Sequence, residues 1–209
     1  MMKKINIFNR GFTLVELMVS VGIFAFMTAF LVAKYGTFNQ GILLTNLAYD
    51  VALTLRNAQS YGLNVKSQPV AKGANYSDKF DYAYGVHFDK STAADLNKTM
   101  IFFVDINSNG IYDAVNDEKI TTYNIKRGSY VSLLCVAQIA SDCSSVDSLD
   151  ITFKRPDPNA IIKGTAPSIV FGSQTYAEIT LRSTDGGERK VAVRSTGQIT
   201  VCNNNNVCN

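Results

Sequence analysis

One histidine, His87, occurs among 209 residues, and the four cysteines never fall at the Cys-x-x-Cys spacing. A zinc site needs three or four nitrogen or sulfur ligands, so this set argues against one. Also missing are Gly-x-Ser-x-Gly, His-Glu-x-x-His, a phosphate-binding glycine loop and any carboxylate pair identifiable as catalytic. Each of those motifs puts a nucleophile, a metal or a phosphate where a reaction needs it, and without them no enzymatic reading gathers support. His87, flanked by Val86 and Phe88 with no second histidine or nucleophile in reach of the pattern, reads as structural. There is no internal repeat, and the only low-complexity tract is the run of asparagines at 203–206.

Charge of one sign is also lacking. The chain carries 20 Lys and Arg against 17 Asp and Glu, but Lys3, Lys4 and Arg10 stand in the first eleven residues, so a form beginning at Phe12 holds 17 of each. Global charge therefore gives no reason to expect nucleic acid as a partner.

Between residues 12 and 33 the only ionisable side chain is Glu16. As a helix rising about 1.5 Å per residue this stretch is about 33 Å long, enough to cross a hydrocarbon core of about 30 Å. Residues 1–11 carry three positive charges and no negative one, which keeps the leader cytoplasmic and puts everything after Lys34 outside. An ordinary secretory signal would be shorter and end in a small-residue cleavage site, for which Ala33 is a weak match. A carboxylate within a membrane helix costs about 2.5 to 3.5 kcal/mol at the centre and less near the edge, so Glu16 needs a positive partner. No Lys or Arg follows it until Lys34. An amine freed by cutting the chain between Gly11 and Phe12, on a neighbouring copy of the helix, would supply one.

The run Gly11-Phe12-Thr13-Leu14-Val15-Glu16 resembles the class III signal of type IV pilins and of the pseudopilins of type II secretion. The resemblance implies cleavage after Gly11 by a membrane prepilin peptidase and methylation of the new Phe12 amine. It implies that Glu16 pairs with the N-terminal amine of an adjacent subunit during filament assembly. It also implies partners: other pilin or pseudopilin subunits, an inner-membrane assembly platform and membrane lipid. The order of elements, a long helix, sheet and a Gly-rich last hairpin, resembles minor pseudopilins of the H type and related minor pilins. Some of those relatives carry a basic Gly-Arg-x-Arg patch in that hairpin. Here the run is Ser195-Thr196-Gly197-Gln198-Ile199 with only Arg194 nearby, which argues against DNA uptake.

Cys135, Cys143, Cys202 and Cys208 all lie in the part that topology places in an oxidising compartment, and an even number there argues for two disulfides. Local pairing, Cys135 with Cys143 and Cys202 with Cys208, closes two small loops; the crossed pairings stay open.

After soft points at Lys34-Tyr35-Gly36 and Gly41, where a kink or brief unwinding is expected, Leu44, Leu47, Ala48, Val51, Leu55, Ala58 and Gly62 recur at helical spacing. This predicts an amphipathic continuation ending at Tyr61-Gly62. Residues 65–80 read as a loop. Strand composition then marks 84–88, 99–104, 118–125, 130–135, 149–154, 177–183, 190–195 and 198–202, with tight turns at Asp185-Gly186-Gly187 and Thr196-Gly197. The expected fold is α+β and pilin-like, a long helix packed on antiparallel sheet. The organisation is a leader (1–11), a membrane helix (12–34), its amphipathic continuation (35–62) and a β-rich extracytoplasmic domain (63–209).

Asp105, Asn107, Asn109, Gly110 and Asp113 fall at positions 1, 3, 5, 6 and 9 of an EF-hand-type calcium loop. The twelfth position departs, with Asn116 in place of a bidentate glutamate; Asp117 and Glu118 come late. The favoured reading is a turn made by Asn and Asp bonding their own backbone, with no cofactor and at most weak calcium. Lys154-Arg155-Pro156-Asp157-Pro158 reads as a solvated turn. The sequence thus describes a structural subunit of a pilus or secretion pseudopilus, a minor one, and no enzyme. The alternative is a membrane-anchored extracellular binding domain, calcium-dependent if the Asp105 loop holds the ion, that does not polymerise.

Overall fold

A computed structural model describes residues 11–64, 82–139, 142–167, 169–202 and 208. The leader before Gly11, the expected loop at 65–80 and the asparagine tract lie outside these residues. The chain divides into two compact units, Met1–Asn39 and Gln40–Asn209.

One helix, α1 (Leu14–Leu63), begins in the first unit and ends in the second. It runs unbroken through Gly36 and Gly41, so the expected unwinding is absent, and it ends at Leu63, one residue past Gly62. Two glycines at about 1 kcal/mol each are a small penalty for a 50-residue helix. In the first unit every residue from Gly11 to Ala33 is exposed. A helix apolar on all sides has no face to give to a sheet, and 14–33 is long and apolar enough to cross a membrane.

The second unit carries the strands β1 (Ala83–Asp89), β2 (Thr99–Asp105), β3 (Glu118–Asn124), β4 (Tyr130–Ala137), β5 (Ser144–Val146), β6 (Ser148–Phe153), β7 (Ala160–Ala166), β8 (Ile169–Gln174), β9 (Tyr176–Arg182), β10 (Glu188–Arg194) and β11 (Ile199–Val201). They form two antiparallel sheets, ordered β3-β2-β1-β6-β7-β8 and β11-β10-β9-β4-β5. All eight expected strands are present. Three more, β5, β7 and β8, and a 3-10 turn at Ala93–Lys98 were not anticipated. Strand β7 continues through Gly164, which reads in sequence as a breaker; a Cβ there would lie 2.6 Å from the Val146 side chain, so the glycine is what lets β7 approach β5.

Leu44, Ala48, Val51, Leu55 and Ala58 of α1 are buried in one core with Val86 and Phe88 of β1, Ile151 and Phe153 of β6, and Ile179 and Leu181 of β9. The helical period selected these positions, and the sheets supply the other side. Each large aliphatic side chain so buried stabilises by about 1.5 to 3 kcal/mol; truncating Leu55, which is fully buried, would cost about 2 to 5 kcal/mol. The amide of Gln59 donates to the carbonyls of Pro158 (3.0 Å) and Gly197 (3.1 Å). The turn after β6 is therefore held against α1 through Pro158. Gly197, at φ +83°, is the left-handed position of the last hairpin, as expected.

Candidate functional site

The helix start is built by Thr13. The Glu16 amide donates to Thr13 Oγ1 (3.2 Å) and the Leu17 amide to the Thr13 carbonyl (3.1 Å), which makes Thr13 the N-cap and Glu16 the third helical residue. Thr13-x-x-Glu16 is thus a capping-box pattern, with Phe12 and Leu17 at the positions of a hydrophobic staple. Sequence reasoning centred on Glu16 missed this second use of the motif, although the Thr-x-x-Glu spacing was there to be read. A carboxylate in the first turn also meets the positive end of the helix dipole. That effect is worth about 0.3 to 1 kcal/mol at an exposed site, less than the insertion penalty of about 2.5 to 3.5 kcal/mol at the membrane centre. Phe12, at 79% exposure, and the apolar side chains of 14–33 are without cover inside the chain.

The four cysteines are joined locally, Cys135 of β4 to Cys143, the residue before β5, and Cys202 to Cys208. The second bridge packs with Ala137, Tyr176 and Ala192 in a small cluster away from the main core. Beside it the Tyr176 hydroxyl donates to Glu178 (3.1 Å); burial first, then the Glu178 charge, push the phenol up to about 12.

The Asp105 loop folds as an interlocked turn. The carboxylate of Asp105 accepts from the amides of Asn109 (3.1 Å) and Gly110 (2.8 Å), Asn107 from Asn109 (3.0 Å), Asn109 from Ile111 (2.7 Å) and Asp113 from Val115 (2.9 Å). Asp117, outside the expected ligand set, closes the loop by accepting from Ile106 (3.0 Å) and Asp113 (2.8 Å). Asp105 and Asp117 are both buried. Burial raises the Asp117 carboxyl above its ordinary value, while the amides of Asp113 and Ile106 oppose that rise. The Lys163 ammonium donates to the Asn109 carbonyl. Among the described residues no group of three or more His, Cys, Asp or Glu side chains could hold a metal ion.

The same loop covers the outer face of the first sheet. The Tyr112 ring lies 5.2 Å from His87 and 5.1 Å from Phe103, and its amide donates to Asp150 (3.1 Å). His87 Nδ1 is 2.7 Å from the same Asp150 oxygen, and Asp150 is fully buried. His87 is therefore held between strand and loop. The pair with Asp150 was invisible in the sequence because 63 residues separate them.

An apolar N-terminal helix followed by antiparallel sheets in a chain with two disulfides is an α+β, pilin-like arrangement, and it fits a single-pass membrane-anchored protein. Residues 8–32 match the family model described as the prokaryotic N-terminal methylation motif. With the apolar helix, that match supports a type IV pilin-like prepilin, which interacts in general terms with other pilin subunits and with prepilin peptidase, and it points to a structural subunit in place of an enzyme. No curated protein and no solved structure matches the chain.

Proposed function

We propose that the chain is a minor structural subunit of a type IV filament system, a pilus or a secretion pseudopilus. It is cleaved after Gly11 by prepilin peptidase, methylated at Phe12, and drawn into the filament through α1 by an inner-membrane assembly platform. The second unit then stands on the extracytoplasmic side. The observation that carries this reading is Glu16: a single carboxylate in the capped first turn of a helix exposed and apolar over 14–33. A charge so placed gains most of its compensation only when a positive group arrives from outside the chain. The Phe12 amine of an adjacent subunit has the right sign, and a stagger of about one helical turn between the helices brings it level with Glu16. The minor role rests on the likeness in element order, and the Asp105 loop is read as a turn that takes calcium weakly or not at all.

The test is to express Glu16→Gln and Glu16→Ala beside the other filament components and to measure processed protein in the membrane and protein in sheared filaments. Cleavage should persist while incorporation is lost, because only assembly requires the pairing. Incorporation of both variants at the unmodified level would refute the role of Glu16 and favour a membrane-anchored binding domain.

A further inference from the structure

The two sheets have four edges, and three of them are protected in ways common to natural proteins. Strands β5 and β11 are three residues each, and β3 carries Glu118 and Lys119. Strand β8 differs. Among the described residues it is the last strand of the six-stranded sheet, hydrogen-bonded to β7 alone, and no charged residue occurs between Lys163 and Glu178. Adjacent residues of a strand point to opposite faces, and here Ile169 (58% exposed) and Val170 (57%) are both open, so neither face is covered at that point by the described residues of the second unit. The register with β7 is regular at Ile169, Val170 and Phe171 and shifts beyond them, and Pro167 ends the pairing on the other side. The open stretch is short, apolar and uncharged.

We propose that β8 pairs edge to edge with β8 of a second copy of this chain, antiparallel and centred near Val170. Only an extended strand can satisfy a row of main-chain donors and acceptors. The partner strand must also bring neighbouring apolar side chains on both faces without charge, and Ile169-Val170-Phe171 is itself such a run. Antiparallel pairing of identical strands is self-complementary under a two-fold axis and sets no like charges against one another. A contact this small falls below the roughly 1,000 Å² of a stable interface in free solution. It forms where anchoring in one membrane raises the effective concentration of copies.

The experiment uses the full chain in membranes, without other filament components, so its outcome is independent of processing and assembly. Val170→Cys under mild oxidation should give disulfide-linked dimer well above Val115→Cys, a control residue 78% exposed and away from the edge. In parallel, two differently tagged copies of the otherwise unchanged chain should co-isolate from gently solubilised membranes, and Val170→Lys in both should abolish this by placing like charges opposite each other. Equal dimer from Val170→Cys and Val115→Cys, undiminished co-isolation of Val170→Lys, or capture of Val170→Cys chiefly by a different protein would each overturn the proposal.

Discussion

Gly62 of α1 lies against the backbone of Phe153 so closely that a Cβ on the glycine would stand 2.4 Å from the Phe153 carbonyl oxygen. The last turn of the helix and the end of β6 are in contact through backbone, and the absence of a side chain makes the contact possible. Gly62→Ala should therefore destabilise the second unit by about 1 to 3 kcal/mol, as overpacking does. Gly41→Ala, which meets nothing within 4 Å, should leave stability unchanged or raise it by up to about 1 kcal/mol. Thermal unfolding of the purified full chain in detergent compares the two. Equal effects would show that Gly62 is only a helix terminator.

That pair of glycines also shows what the sequence could and could not convey. The spacing of Leu44, Ala48, Val51, Leu55 and Ala58 was legible because a helix repeats its buried face, and these residues are all buried. Gly62 fell on the same face and at the expected helix end, but composition cannot show that it is there to admit the Phe153 backbone. Strands β7 and β8 escaped for the related reason that Gly164, Pro167 and Gly172 look like breakers until the packing is known. At the N-terminus the run from Gly11 to Glu16 was readable outright because its residues are adjacent in sequence, and residues 8–32 match the N-terminal methylation motif. The His87–Asp150 pair and the closing role of Asp117 depend on contacts between elements and left no local signal.

Asp117 should prove more important to its loop than the expected ligand Asp113. Asp117→Ala leaves the amides of Ile106 and Asp113 without that acceptor in a largely buried setting, at a cost of about 1 to 3 kcal/mol. Calcium titration of the unmodified chain is expected to show no binding, or dissociation constants of about 10⁻⁴ to 10⁻³ M as in extracellular modules. Submicromolar binding abolished by Asp105→Ala would reverse the turn reading.

Tyr176 gives a pH dependence with a defined sign. Its phenol is raised from 10.0 to about 12, so between those values the folded chain retains a proton that the unfolded chain has released. The stabilisation is fully present below pH 10.0 and is lost as pH rises through about 12. Urea unfolding from about pH 9 upward, roughly where tyrosines begin to titrate, should show a decline that is shallower in Tyr176→Phe. Identical slopes would contradict the assignment.

Thr13→Ala should fray the first turn by removing the acceptor of the Glu16 amide, at about 0.5 to 2 kcal/mol for a lost cap. Amide exchange at Glu16, measured in detergent micelles, should quicken while that of the core residue Val51 stays the same. Unchanged exchange at Glu16 would mean that another acceptor replaces the threonine.

If the chain is the prepilin proposed above, its working form begins at Phe12. N-terminal mass spectrometry of the protein made together with a matching prepilin peptidase tests it directly. The expected species starts at Phe12 and carries one methyl group on its amine, with residues 1–11 removed. A chain still beginning at Met1, or one cut beyond Phe30, would contradict the account.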